Sequence, residues 1–119
     1  MTLRVGDVVV DCADPEILVA FWQAAMGDYV RHDLNEQYVA IAPIEPAPGR
    51  LAILFQKVPE PKVGKNRLHL DLRGESMTAA VERLRALGAS VIAERSLGDA
   101  VRWTVMADPE GNEFCVVEG

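Results

Sequence analysis

The sequence predicts an α+β fold made from two copies of one strand–helix–strand–strand–strand unit, and three observations carry that prediction. The same order of apolar patterns occurs twice along the 119 residues. Both helical patterns stop at a glycine, Gly27 and Gly88, 61 residues apart. Val10-Asp11-Cys12 ahead of the first helix echoes Leu70-Asp71-Leu72 ahead of the second. A repeated unit fixes the architecture. Two four-stranded units, each with a helix on one face, must bury the other face, and wrapping both sheets around a common interior does so and leaves a cavity.

Taken in order, residues 3 to 11 form a β-branched run that predicts a strand. Asp14-Pro15 follows, a capping acceptor with proline at the first helical position, where its missing N–H costs nothing. Ile17, Leu18, Phe21, Trp22, Ala25 and Met26 then recur at helical spacing, and Gly27 supplies the stop. Phe21 and Trp22 read as core. Residues 29–32 and 37–42 predict a hairpin around 33–36, with His32 on the surface. Pro43, Pro46, Pro48 and Gly49 mark a loop before a strand over 51–56, in which Phe55 packs under the helix and Gln56 faces the other way.

Residues 57–66, with two prolines and four charges, predict a solvated connector between module one (about 1–57) and module two (about 67–119) of a single domain. Lys57, Lys62, Lys65 and Arg67 cluster on and just after it. Arg67 to Arg73 alternates strictly, which predicts a half-buried strand: Leu68, Leu70 and Leu72 pack inward while Arg67, His69, Asp71 and Arg73 share the other face, one wall of a ligand cavity. Ser76 caps a second helix with Met77, Ala80, Val81, Leu84 and Leu87 on one side. Strands follow over 89–93, 100–106 and 113–118, with a turn at Asp108-Pro109-Glu110-Gly111-Asn112.

Half of the residues are hydrophobic and a quarter are charged, the balance of a soluble globular domain. Twelve basic against eighteen acidic residues give a net charge of -6, which argues against nucleic acid as a partner. The first residues show no signal-peptide pattern and no run is long enough to span a bilayer, so the expectation is a cytoplasmic protein without membrane contact. Cys12 and Cys115 lie in apolar runs without CxxC spacing and read as buried thiols. There is no phosphate-binding glycine loop, no GxSxG elbow and no nucleophile–base pair.

The chain resembles the vicinal oxygen chelate superfamily, specifically its small glyoxalase-like or bleomycin-resistance-like domains. Asp11-Cys12-Ala13-Asp14-Pro15, Phe21-Trp22, Gly27, Val58-Pro59-Glu60-Pro61-Lys62, Asn66 to Leu72, Leu87-Gly88-Ala89 and Trp103 followed by Asp108 to Cys115 carry the resemblance, over the whole length. It implies two βαβββ modules forming a curved, barrel-like sheet with the helices outside, and a homodimer. In metal-dependent members a divalent ion takes His, Glu or Gln ligands from the first and fourth strands of each module. Carried over, those positions fall on His69, Cys115, Gln56 and either Asp7, counting back from Asp14, or Val9, matching Asp11 to Asp71. The cofactor stays open: a divalent metal is the one that the resemblance admits, and the incomplete ligand set weighs against it, so no metal ligand is assigned.

The expected site has His69 as general base or ligand with Asp71 orienting it, and Gln56, Asp11 and Trp103 binding the ligand. Structural roles stand beside these. His69 can be satisfied by Asp71 or backbone, Asp11 and Asp71 can serve the helix N-termini, and Trp103 can fill core. The expected function is a lyase or isomerase of a small polar organic substrate. The alternative is a non-catalytic drug- or metabolite-binding protein.

Overall fold

A computed structural model describes residues 2–119. The chain divides into two compact units, one running up to Lys62 and the other covering Val63–Gly119. In the first unit, strand β1 (Asp7–Cys12) leads through helix α1 (Pro15–Met26) to β2 (Tyr29–Asp33), β3 (Tyr38–Pro43) and β4 (Ala52–Lys57). The second repeats the order as β5 (Asp71–Leu72), α2 (Met77–Ala86), β6 (Ser90–Leu97), β7 (Val101–Ala107) and β8 (Glu113–Val117). Each unit carries one four-stranded sheet, ordered β1-β4-β3-β2 and β5-β8-β7-β6, in which the outer first strand pairs parallel to the last and the other pairings are antiparallel. Among the described residues both sheets are open and neither closes into a barrel.

Local chemistry sets the helices. The Asp14 carboxylate accepts the Glu16 amide at 3.0 Å and Pro15 starts α1, so the first turn is satisfied before the helix is built. Gly27 ends it at φ +83°, a backbone region that side chains disfavour, and its amide donates to Gln23 O. The Ser76 hydroxyl accepts the Ala79 amide in the same way for α2, and Leu87 caps its end. Leu18, Phe21 and Trp22 bury against β2, β3 and β4, above Ile41, Ile53 and a fully buried Phe55. In the second unit Met77, Ala80 and Leu84 face Thr104, Met106, Phe114 and Val116, all buried. Leu87 stays partly exposed, since it caps α2 instead of completing its apolar stripe.

Two strands are shorter than their patterns predict. The run over 3–11 pairs only from Asp7, and Leu3 and Val5 are exposed. The strand expected over 67–73 shrinks to Asp71–Leu72, and Leu68, expected to pack inward, is 88% exposed. The partner strand explains this. Asp71 lies opposite Cys115, so residues before 69 would have to pair with 111 and 112. Those amides are already spent: Asn112 N donates to the Asp108 carboxylate and Gly111 N to Asp108 O. One further ladder bond runs from Cys115 N to Leu70 O at 2.8 Å, and Asn66 is held instead by Glu113.

Candidate functional site

The candidate site lies on the face of the second sheet opposite α2. Side chains alternate along a strand, so turning the half-buried Leu72 and the buried Phe114, Val116, Thr104 and Met106 toward α2 leaves Asp71, Cys115, Val117, Trp103 and Val105 on the other side. A cavity of about 290 Å³ opens there. His69, Asp71, Arg73 and Cys115 form its polar wall, and Val101, Trp103 and Val117 form its apolar one. Of the residues singled out in the sequence, His69, Asp71 and Trp103 therefore meet in one cavity.

His69 Nε2 lies 3.4 Å from Asp71 Oδ1, within ion-pair reach once the imidazole is protonated, and both side chains are about half exposed. Cys115 sits directly across the parallel pair from Asp71 and is buried. Burial pushes its thiol above the ordinary value, and the Asp71 charge and a hydrogen bond to that carboxylate push the same way, against a smaller pull from Lys65. A thiol held protonated is a weak nucleophile and serves as a hydrogen-bond donor. Neither cysteine is in a disulfide.

One ligating atom each from His69, Asp71 and Cys115 lies within 4.8 Å of the others. Hard divalent ions such as manganese favour oxygen donors. One carboxylate oxygen, one imidazole nitrogen and one sulfur do not fit such an ion, and no catalytic step is drawn through one.

Gln56 and Asp11 belong to the first unit, where they are register partners on β4 and β1. Asp7 lies opposite Ala52, four residues along the strand from that pair and so roughly 13 Å away, and does not join them. The registers also decide between Asp7 and Val9. Asp11 opposite Gln56 corresponds to Asp71 opposite Cys115, which places Val9 where the second unit has His69. Counting from the helix misleads because the strand–helix connection has two residues in the first unit, 13–14, and four in the second, 73–76. Trp22, Phe21 and Phe55 are core, as expected, and Phe21 and Trp22 meet edge to face at 5.3 Å.

Sequence reasoning set Arg73 on the cavity wall without giving it a role, and missed Val101 and Val117 as cavity residues. Arg73 was legible, since it continues the alternating face of His69 and Asp71. The two valines look like any other strand valine and gave no signal. Asp108 was read only as a turn former. It is buried and accepts from Glu110 N, Asn112 N and Asn112 Nδ2, and so holds the turn that sets where β8 begins.

Several solved structures share this fold. A glyoxalase/bleomycin resistance protein/dioxygenase family enzyme from Burkholderia phytofirmans aligns with a TM-score of 0.76 and 19% identity over 94% of this chain and 95% of its own. The fosfomycin resistance protein FosX from Listeria monocytogenes aligns with a TM-score of 0.79 and 16% identity over 100% of this chain and 95% of its own. A mutant of that protein, solved with manganese(II) and a dihydroxypropylphosphonic acid, aligns at 0.78 and 16% over 98% and 90%. Identities this low establish the fold alone. No curated protein sequence matches the chain. The family model described as glyoxalase-like domain matches residues 7–117, nearly the entire length, and with the two βαβββ units it shows that the chain belongs to the glyoxalase-like domain family.

Proposed function

We propose that the cavity on the second sheet is the site of a lyase or isomerase reaction on a small polar organic molecule. One observation carries this reading: His69 and Asp71 converge at a cavity whose opposite wall is Trp103. With Nε2–H directed at Asp71, the His69 Nδ1 lone pair is left to take a proton from the substrate. Asp71 then balances the imidazolium. Arg73, beside them, can neutralise negative charge on the substrate, while Trp103, Val101 and Val117 hold its apolar part and exclude water. Cys115, kept as a thiol, donates a hydrogen bond and does not attack. Asp11 and Gln56, side by side on the first sheet, remain the further ligand-binding pair. The protein is expected to act in the cytoplasm as a homodimer.

The test begins with a thermal-shift screen of small carbonyl compounds, epoxides and phosphonates; the ligand crystallised with the Listeria relative's mutant recommends the last class. Hits are then followed by NMR for turnover in wild type and His69→Gln. Turnover that drops by at least about 100-fold in His69→Gln, with binding retained, supports the assignment. Turnover unchanged in that variant removes His69 from the chemistry. A second reading rests on the apolar wall. Ligands that bind without turnover, and whose affinity falls in Trp103→Ala, would make the protein a small-molecule binder.

A further inference from the structure

We propose that the cavity takes a small organic monoanion, a carboxylate joined to a flat apolar group, with the carboxylate on Arg73 and the apolar group against Trp103. This deepens the reading of the cavity as a substrate site and rests on it. The strand register sets the places. One step beyond the Leu72–Val116 pair, Arg73 falls beside Val117, and Val117 stands opposite Trp103. Neighbouring strands lie about 4.8 Å apart, so this row runs roughly 10 Å from a cation to an indole. All three residues line the cavity, and Val101 continues its apolar end. At about 290 Å³ the space is at the small end of ligand pockets, which limits the size of the guest.

Arg73 is a ready anchor. Arg31, Arg50 and Arg83 are each held by a carboxylate of the protein. Arg73 makes no such pair among the described residues, although Asp71 is two positions away on the same face. The Asp71 carboxylate lies instead 3.4 Å from His69 Nε2. A free guanidinium offers two parallel N–H donors that match a carboxylate. With His69 neutral, Asp71 and Arg73 are the charged residues of the lining. A monoanion meets one cation there, whereas a second negative charge gains no partner and is repelled by Asp71. Asp71 also orients the guest, because it stands between His69 and Arg73 along the chain. It keeps the anionic end at Arg73 and leaves the other end to His69, roughly 13 Å back along an extended backbone. The class implied is an elongated acid whose reacting atom lies several bonds from its carboxylate.

The probes are hydrocinnamate, its neutral amide, and phenylpropylphosphonate at a pH where it is doubly ionised. Binding to the full-length protein is followed by NMR through the indole N–H signals of Trp103 and Trp22, assigned with Trp103→Phe. Hydrocinnamate should move the Trp103 signal, leave that of the buried Trp22, and bind at least about 10-fold more tightly than the amide. Arg73→Gln should weaken hydrocinnamate by about 10-fold and leave the amide unchanged, so that the preference disappears. Arg73 is exposed, so this substitution spares the core. Arg95→Gln removes an equal charge across from Trp103 but outside the cavity lining, and should change neither affinity. The phosphonate should bind more weakly than hydrocinnamate in wild type and gain on it in Asp71→Asn. Equal affinity for acid and amide, an acid preference that survives Arg73→Gln or is lost in Arg95→Gln, a preference for the phosphonate, or a Trp103 signal that no probe moves would overturn the proposal. Binding is read without turnover. Loss of the acid preference therefore leaves the His69 reaction standing, and turnover unchanged in His69→Gln leaves the Arg73 anchor standing.

Discussion

At the scale of single residues, Cys115 reports on the site most directly. Its thiol is raised by burial first and by the Asp71 carboxylate second, so the thiolate forms only above the ordinary thiol range. Alkylation by iodoacetamide should accordingly be slower at Cys115 than at free cysteine near pH 8, and should accelerate only at higher pH. Asp71→Asn removes the negative charge and should increase the rate. Residue-resolved mass spectrometry separates Cys115 from Cys12, whose thiol donates to Gln56 O at 3.5 Å and should stay slow in both proteins. An unchanged Cys115 rate in Asp71→Asn would mean that burial alone controls the thiol. The chemistry of this residue was only partly legible in the sequence. The apolar run around Cys115 announced its burial, but nothing in the chain placed Asp71 across from it.

At the scale of elements, what could be read depended on how local the determining forces were. Both helices were legible because caps, proline and 3.6-residue spacing lie within a dozen consecutive residues. They make a local prediction too. Asp14→Ala leaves the first-turn amides unsatisfied and should cost about 1 kcal/mol in urea unfolding. Gly27→Ala should cost about 1–2 kcal/mol, because φ +83° is strained for a side chain although nothing crowds the added Cβ. Equal stability of Gly27→Ala and wild type would show that the helix end relaxes. The 67–73 strand was over-read for the opposite reason. Its alternation is real, but a strand extends only as far as its partner offers free amides, and the Asp108 turn consumes those of Gly111 and Asn112. Period-2 patterning cannot register a hydrogen bond made forty residues away. It still placed His69, Asp71 and Arg73 on one side, which is why the cavity's polar wall was legible where its valines were not.

At the scale of the whole molecule, duplication sets the architecture, and divergence between the copies places the polar cluster in the second unit: Val9 and Gln56 stand where it has His69 and Cys115. The acidic chain, at -6, also ties carboxylates to arginines in the first unit. Glu16 on α1 holds Arg31 on β2 through two hydrogen bonds of 2.6 and 2.7 Å. Asp28 holds Arg50 equally closely, at 2.6 and 2.7 Å, and Arg50 also covers the Tyr29 ring. Hydrogen bonds from Arg31 and Arg50 lower Glu16 and Asp28 below their ordinary values of 4.5 and 3.8. Carboxylates depressed in the folded state contribute stability that is present above those ordinary values and is lost as pH falls through the lowered ones. Melting temperature should therefore decline as the protein is taken from pH 5 toward pH 3. In Glu16→Gln with Asp28→Asn the decline should be shallower, because the folded and unfolded chains then differ by two fewer titrating groups. Both groups are exposed, so the effect should shrink in high salt. Identical slopes for wild type and the double variant would show that the two pairs add nothing to stability, and that acid acts on the chain through its remaining carboxylates.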